Sequence, residues 1–223
     1  MGAIVVAVGL LAFRNLGNAL VPPALYVPVN LGVGALLAVV AACGGLVPAD
    51  VGLSRRTTRS GLAAGSAIAV AAAAMIAAAA AVPWSRPFFE DRRVADLGGV
   101  GDLAYVTLVR IPLGTAVFEE FAFRGVLLAL LARRWSIRTA VIGSSVLFGL
   151  WHIRPTLSAV RINDPTAGGM TVAAAVTGAV VVTAAAGVLF CALRLRADSL
   201  LAPIVVHAVV NSASTVAAYV VLR

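Results

Sequence analysis

Two adjacent glutamates and an arginine lie inside a long apolar stretch, in the segment Phe118-Glu119-Glu120-Phe121-Ala122-Phe123-Arg124. Glu120 and Arg124 are four residues apart, which places them on one face of a helix, where a charge-assisted hydrogen bond can keep the carboxylate ionised. Glu119 points about 100° away around the helix. Two acids in different environments are typical of a site in which one acts as a general base and the other orients it.

The two histidines of the chain also lie in apolar stretches. His152 ends the segment Phe148-Gly149-Leu150-Trp151-His152, and His207 begins His207-Ala208-Val209-Val210-Asn211. The second spacing places an imidazole and a carboxamide on one helix face. Ionisable groups at membrane depth cost at least ~2.5–3.5 kcal/mol each, so they normally face the bundle interior and carry function. When the ionisable residues of the predicted connections are excluded, those that remain within the apolar stretches are Arg14, Arg110, Glu119, Glu120, Arg124, His152 and His207.

Each motif taken alone has a simpler interpretation. The Glu120–Arg124 pair could merely help a helix to insert, and a histidine beside a tryptophan at a helix end is typical of the membrane interface. His207 and Asn211 could link neighbouring helices by a hydrogen bond worth about 0.6–2 kcal/mol. Cys43 and Cys191 lack CxxC spacing, which predicts packing roles for both.

The elements that must position these residues are membrane-spanning helices. The chain has 223 residues, of which 61% are hydrophobic and 12% charged, against roughly 45–50% and 25% in a soluble domain. Apolar stretches of about 18–23 residues are long enough to cross a hydrocarbon core of ~30 Å. We therefore predict one membrane-embedded domain over residues 1–223, an all-α polytopic transmembrane bundle. Its spans, about seven in number, lie near 3–20, 28–46, 61–82, 103–131, 139–153, 171–193 and 199–221.

The fourth predicted span is too long for a helix perpendicular to the membrane. Pro112 and Gly114 could kink it or divide it, and division would give an eighth helix. Arginines are in excess in the connections 47–60, 132–138 and 194–198, which predicts that these loops and the N-terminus are inside. The connections 83–102 and 154–170 then lie outside. Trp84, Trp135 and Trp151 fall near span ends and are predicted to be interfacial aromatics.

The formal charge of +8 does not indicate nucleic-acid binding, because all 17 basic residues are arginines and, apart from Arg14, Arg110 and Arg124, they lie singly or in pairs at the ends of apolar stretches. No nucleic acid is expected as a partner, and the lipid bilayer is. The absence of lysine and the abundance of Ala, Val and Gly favour a high-GC bacterial genome. The predicted location is therefore a bacterial cytoplasmic membrane.

The motifs Glu-Glu-x-x-x-Arg, Phe-x-x-x-His and His-x-x-x-Asn, in this order on separate spans, resemble the CPBP family. This family is also called Abi or type II CAAX prenyl endopeptidase-like intramembrane proteases. The resemblance covers roughly residues 100–215, and the segment Asp50-Val51-Gly52-Leu53-Ser54-Arg55 also looks like the part that precedes the family's core. Each motif position has the expected residue type: Glu119, Glu120, Arg124, Phe148, His152, His207 and Asn211.

The resemblance implies a helical bundle with an intramembrane cavity in which peptide bonds are hydrolysed. Glu119, helped by His152, would activate the water, and Glu120 with Arg124 would hold the site together. His207 and Asn211 would donate hydrogen bonds to the oxyanion. The implied partner is a peptide or membrane-protein substrate. Members process prenylated C-termini or are linked to bacteriocin maturation and immunity, and the sequence does not select between these substrates.

A zinc ion is the open alternative in this mechanism. Glu119, His152 and His207 could supply N and O ligands with one position left open. The sequence has no His-Glu-x-x-His, however, and Arg124 beside the carboxylates would compete electrostatically with a dication. We therefore favour a metal-independent glutamate protease with no cofactor.

Two other functions use the same buried residues. A small proton-coupled transporter would use the Glu and His set as a relay, although the chain lacks the inverted repeats of that class. A membrane scaffold would keep the same fold but would have lost catalytic activity. The intact motif set favours the protease over both.

Overall fold

The computed structural model describes residues 1–223, apart from the side chain of Ala19, and in this part of the chain it contains helices and no strands. The helices are α1 Gly2–Leu16, α2 Tyr26–Cys43, α3 Thr58–Ala81, α4 Arg92–Ala95, α5 from Val100 to Ala132, α6 Ile137–Trp151, α7 Ile153–Asn163, α8 Gly169–Ala197 and α9 Leu201–Val221. Short 3₁₀ turns lie at Gly17–Leu20, Pro23–Leu25, Arg55–Thr57 and Pro83–Phe89. The predicted all-α fold class is confirmed.

Four helical segments are long and apolar enough to cross a membrane: Pro23–Cys43, Arg55–Ala81, Gly169–Ala197 and Leu201–Val221. The apolar helix Gly2–Leu16 is shorter. Many large apolar side chains face outward, among them Phe13 and Met75 with 76% and 71% of their surface exposed. An exposed apolar surface of this kind is expected of a protein surrounded by lipid. The count of seven or eight spans stays a prediction.

Helix α5 carries the glutamate pair and runs without a break. It contains two π-helical stretches, Val106–Val117 and Phe121–Leu127, on either side of Phe118–Glu120. Pro112 lies inside the first stretch and does not divide the helix. The wider π turn leaves room for a proline ring that would clash with the carbonyl four residues earlier in an α-helix. An eighth helix made by dividing this span is therefore not formed.

The prediction that residues 154–170 form a simple connection is wrong, because α7 occupies Ile153–Asn163. Arg154 and Pro155 indicated a loop. Pro155 nevertheless fits in the first turn of α7, where backbone N–H groups have no partner within the helix. The predicted connection 83–102 likewise contains the one-turn helix α4.

Small residues bring helix α9 close to α3. Gly61 and Gly65 are four residues apart on α3, and a Cβ added at Gly61 would lie 2.2 Å from Ser199 Oγ. At Gly65 it would lie 2.7 Å from the carbonyl oxygen of Ala202. Such small-residue contacts let membrane helices approach backbone to backbone. Because Ser199 and Ala202 lie at the start of α9, this contact fixes the helix that carries His207 and Asn211.

Candidate active site

Glu120 lies at the centre of a buried polar cluster on α5 and α9. Its Oε1 atom accepts a hydrogen bond from Arg124 Nη1 at 3.0 Å, and both side chains are 0% exposed. The same oxygen is 2.8 Å from His207 Nδ1. The predicted i,i+4 pairing on one helix face is thus present. We call Glu119, Glu120, Arg124 and His207 the glutamate cluster.

The contact with Glu120 determines the orientation of the His207 ring. A carboxylate oxygen can only accept, so His207 Nδ1 carries the proton in this hydrogen bond. His207 Nε2 then faces Glu119, at 4.0 Å from Oε2. That separation is too long for a direct hydrogen bond.

The two oxygens of Glu119 have different surroundings. Oε1 accepts a hydrogen bond of 3.0 Å from the indole N–H of Trp151 on α6. Oε2 is buried and accepts no hydrogen bond from the described side chains. A buried acceptor without a partner is costly and is often found where a group has a catalytic role. Glu119 therefore has one oxygen fixed by the protein and one available for chemistry.

Aromatic rings surround Arg124 and His207 of the cluster. The Arg124 guanidinium carbon lies 3.8 Å from the centroid of the Phe148 ring, a cation–π contact that covers a buried charge. Phe148 also makes edge contacts with His152 and His207, at 4.6 and 6.3 Å between centroids. Phe190 on α8 stacks on His207 at 5.5 Å. One ring, that of Phe148, thus connects the arginine and both histidines.

His152 lies at the junction of α6 and α7 and is partly exposed. Its Nδ1 atom donates to the Phe148 carbonyl at 2.8 Å, since a carbonyl can only accept. In the neutral ring Nε2 is then free to accept a proton. Within the described residues no hydrogen bond joins His152 to Glu119, and Oε1 of Glu119 binds Trp151 instead.

Asn211 lies one helical turn beyond His207 and lines an open cavity of about 480 Å³, which we call the Asn211 cavity. Its carboxamide makes no hydrogen bond with the described residues, and its backbone carbonyl accepts one from Thr215 at 2.9 Å. The structure therefore brings Glu119, Glu120, Arg124 and His207 into direct contact. His152 is connected to this cluster only through the ring of Phe148. Asn211 lies outside the cluster, in the wall of the Asn211 cavity.

The sequence analysis did not predict that two further residues, Trp151 and Phe190, contact the site. Trp151 was predicted to be an interfacial aromatic, but its N–H binds Glu119 and its ring packs on Phe118 and Phe123 at 5.9 and 5.7 Å. Its position next to His152 was a signal that could have indicated this role. Phe190 lies in an apolar span with no distinguishing neighbour, so its stacking on His207 had no signal in the sequence.

The cluster does not have the form of a zinc site. Within the described residues no three His, Cys, Asp or Glu side chains come together as ligands of a metal ion. The positions of the candidate ligands explain this result. Trp151 binds one oxygen of Glu119, the Nδ1 atoms of His207 and His152 are both engaged, and Arg124 adds a positive charge beside the carboxylates.

Comparison with protein-family models identifies the segment that contains these residues. Residues 101–213, about half of the chain, match the model described as "Type II CAAX prenyl endopeptidase Rce1-like". The chain belongs to the Rce1-like family. The matched segment includes all six candidate residues, from Glu119 on α5 to Asn211 on α9, and agrees with the resemblance seen over residues 100–215. No curated protein and no solved structure matches the chain.

Membership of the Rce1-like family makes the protein a CAAX protease-type endopeptidase of the membrane. The apolar helices agree with this assignment. Enzymes of this type act on peptides or proteins in membranes, so the partners of the protein are such a substrate and the lipid around it.

Proposed function

We propose that the protein hydrolyses peptide bonds within the membrane with a water molecule activated by Glu119, and that it does so without a metal ion. The observation that carries this proposal is the environment of Glu119. Oε1 is held by Trp151, while Oε2 is buried, has no protein donor and faces His207 Nε2 at 4.0 Å. Glu120 Oε2 also lacks a partner, but Glu120 is 0% exposed and is ion-paired with Arg124. Glu119, fixed through one oxygen and without a cation of its own, is therefore the carboxylate that suits a general base.

The reaction begins when the water oxygen bonds to the carbonyl carbon of the substrate and Glu119 Oε2 takes a proton from that water. The carbonyl oxygen becomes an oxyanion, which needs hydrogen-bond donors. The C–N bond then breaks, and the proton held by Glu119 passes to the leaving amine. Atoms and charges balance without an oxidant, a reductant or a covalent enzyme intermediate.

Glu120 and Arg124 position the groups that react. Glu120 holds the His207 ring through Nδ1, and Arg124 holds Glu120 while resting on Phe148. His207 Nε2, on the side of the ring that faces Glu119, donates to the oxyanion when this nitrogen carries a proton. Asn211 supplies a carboxamide N–H from the neighbouring cavity.

His152, whose ring contacts that of Phe148, assists Glu119. Its Nδ1 proton is committed to the Phe148 carbonyl, so Nε2 is the atom that accepts or returns a proton. Apo sites commonly have longer catalytic hydrogen bonds than substrate complexes do. The role of His152 is therefore to relay a proton once the substrate and water are in position.

The experiment that tests this proposal is cleavage of a peptide library by the purified protein in detergent, with the products identified by mass spectrometry. We expect pairs of products whose masses sum to that of the substrate plus one water. The variant Glu119→Gln should give no products, whereas Glu90→Gln at an exposed position should give the wild-type pattern. Equal product patterns from wild type and Glu119→Gln would overturn the assignment.

Metal independence has a separate test. Elemental analysis of the active protein should find well below one equivalent of zinc, and a strong chelator should leave the cleavage rate unchanged. About one equivalent of zinc, lost together with activity and restored with it, would make Glu119, His152 and His207 metal ligands instead.

A further inference from the structure

A long apolar groove lies between α3 and α9, on a different part of the molecule from the candidate active site. Its volume is about 640 Å³, and it is lined by side chains between Ala73 and Ala81 on α3 and between Ala213 and Val221 on α9. Among its lining residues only Arg86 and Arg223 carry a charge. No residue of the glutamate cluster lines it, and none is shared with the Asn211 cavity. We call it the α3–α9 groove.

The groove forms because α3 and α9 run in the same direction and separate along their length. Near the start of both helices, Gly61 and Gly65 approach Ser199 and Ala202 so closely that an added Cβ would lie 2.2 Å and 2.7 Å from them. Toward the other end, the α3 residues are mostly alanines, whose side chains are too short to fill the space between the helices. The same pair of helices is thus closely packed at one end and open at the other.

The groove has the length and polarity of a lipid chain within one leaflet. From Ala73 to Ala81 the helix rises about 12 Å at 1.5 Å per residue, which is close to the ~15 Å half-thickness of a hydrocarbon core of ~30 Å. Arg86 follows the end of α3 and Arg223 follows the end of α9, so both charges lie at the same end of the groove. An apolar groove with cations at one end matches a molecule with an apolar chain and an anionic headgroup.

The 3₁₀ turn Pro83–Phe89 holds Arg86 at the level of the lipid headgroups. Ser85 is buried, and its hydroxyl donates hydrogen bonds to two carbonyl oxygens at the end of α3. Trp84 and Phe88, two residues from Arg86 on either side, are 77% and 82% exposed. An exposed tryptophan at the end of a membrane-spanning helix is typical of the interface between hydrocarbon and water. The turn therefore places a guanidinium where lipid phosphates lie.

Both arginines of the groove can bind an anion. Neither forms an ion pair with an acidic group among the described residues. Arg223 lies over the Tyr219 ring at 4.3 Å, and its Nη2 donates only to the Leu97 carbonyl at 3.4 Å. A guanidinium has five N–H donors in a planar fork that matches phosphate oxygens, so most donors of both side chains are available to a ligand.

We propose that the α3–α9 groove binds an anionic phospholipid, with the phosphate between Arg86 and Arg223 and one acyl chain along the alanines of α3. A free phosphate ion would leave the apolar walls uncovered, and a lipid without net charge would leave the two arginines without an anion. Basic pockets between membrane helices commonly bind anionic headgroups. The proposal does not depend on the peptidase function, so either one can fail without the other.

The test titrates lipids into the full chain, freed of lipid in an uncharged detergent. Phosphatidylglycerol, phosphatidylcholine with the same acyl chains and inorganic phosphate are added separately. The thermal unfolding midpoint and the lipid retained in native mass spectrometry are recorded. We expect phosphatidylglycerol to be retained at about one equivalent and to raise the midpoint, because a ligand that binds only the folded protein stabilises it. Phosphatidylcholine should bind at least about tenfold more weakly, and inorganic phosphate should have no effect over the same concentrations.

A double variant tests the arginines. Arg86→Gln combined with Arg223→Gln should weaken the binding of phosphatidylglycerol at least about tenfold, the effect of losing charge-assisted hydrogen bonds. The matched control is Arg56→Gln combined with Arg59→Gln, which removes the same charge from exposed positions near the start of α3. Should the double variant fail to fold, Arg86→Gln alone decides, because the Arg86 side chain makes no hydrogen bond or ion pair with the described residues that this change could break.

A second pair of variants tests the position of the acyl chain. Ala77→Leu extends an exposed side chain into the groove and should weaken the binding of phosphatidylglycerol while the midpoint without lipid stays at the wild-type value. Ala78→Leu makes the same change at the next exposed residue, outside the groove, and should bind as the wild type does. Equal binding by the two variants would overturn the placement of the chain in the groove.

Three other results would overturn the proposal as a whole. Equal binding of phosphatidylglycerol and phosphatidylcholine, or equal losses in the two double variants, would show only a general attraction between lipid and protein surface. Saturation by inorganic phosphate at the concentrations that suffice for phosphatidylglycerol would assign the arginines to a free anion. A dimer in detergent that phosphatidylglycerol does not dissociate, and that Ala77→Leu does, would assign the groove to a second copy of the chain.

Discussion

His207 of the glutamate cluster and Asn211 of the Asn211 cavity lie one turn apart on α9. Charged side chains have opposite surroundings in these two regions. In the cluster, Arg124 and Glu120 are wholly buried and bound to each other, and aromatic rings cover the guanidinium. In the cavity, Arg110 is partly exposed, lies over a single ring and has no acidic partner among the described residues. The cluster holds its charged groups in fixed positions, whereas the cavity contains a cation without a carboxylate partner. The same pair of helices thus carries a closed polar cluster and an open polar cavity.

Removing the cation of the cluster should have the largest effect on stability. Arg124→Met leaves the Glu120 carboxylate buried without its ion pair, and breaking such a pair costs about 3–5 kcal/mol. We expect a large fall in the thermal unfolding midpoint together with loss of cleavage. The exposed Arg134→Met is the control and should unfold as the wild type does. An unchanged midpoint for Arg124→Met would show that the buried pair does not hold the cluster together.

Removing the indole N–H that donates a hydrogen bond to Glu119 should reduce the cleavage rate more than it reduces stability. Trp151→Phe keeps an aromatic ring between Phe118 and Phe123 but removes the N–H that binds Oε1. A hydrogen bond to a charged group is worth about 1.5–3 kcal/mol, so we expect the cleavage rate to fall roughly tenfold or more. Trp135→Phe, at a residue that is 43% exposed, should have no effect. Equal rates for the two variants would mean that Trp151 does not orient the base.

A larger residue between α3 and α9 should disturb the cluster and the cavity together. At Gly61 an alanine Cβ would lie 2.4 Å from Ser199 Cβ, so α9 must shift, at a cost of about 1–3 kcal/mol. We expect Gly61→Ala to lower both the unfolding midpoint and the cleavage rate. In the control Gly9→Ala the added Cβ meets nothing within 4 Å, and neither quantity should fall. A Gly61→Ala protein with wild-type stability would show that the close α3–α9 contact is not required.

These comparisons also show which parts of the protein the sequence could predict. The pairing of Glu120 with Arg124 follows from helical spacing, so it could be predicted before the fold was known. The contact of Trp151 with Glu119 depends on how α6 packs against α5, and the stacking of Phe190 depends on α8. The helix α7 was missed because proline and arginine are compatible with both a loop and a first helical turn.

The smallest effect is expected at the rim of the cavity, where Asp91 begins α4. Burial raises the pKa of Asp91, but the Arg93 guanidinium and N–H and the Asn163 amide lower it more, so the net pKa is below the usual value. A carboxylate with a lowered folded-state pKa adds stability above its unfolded pKa, near 3.9, and this stability is lost as the pH falls through the folded value.

Asp91→Asn keeps the helix cap and removes the charge, so we expect a loss of less than about 1 kcal/mol at pH 7. The difference from wild type should shrink as the pH falls below about 4. Unfolding midpoints measured from pH 7 to pH 3 test this, with the exposed Asp96→Asn as control. A difference that grows at low pH would contradict the sign of the pKa shift.

The most direct test of the proposed mechanism compares the two adjacent glutamates, Glu119 and Glu120. Cleavage rate and thermal unfolding midpoint are measured for Glu119→Gln and Glu120→Gln under the same conditions. We expect Glu119→Gln to abolish cleavage and to keep the wild-type midpoint, because Oε2 of Glu119 has no protein donor to lose. We expect Glu120→Gln to lose cleavage and also to unfold at a lower temperature, because Arg124 and His207 both lose their charged acceptor. Cleavage by Glu119→Gln within about tenfold of the wild type, far less than the 10²–10⁴-fold contribution of a general base, would contradict the central role of Glu119.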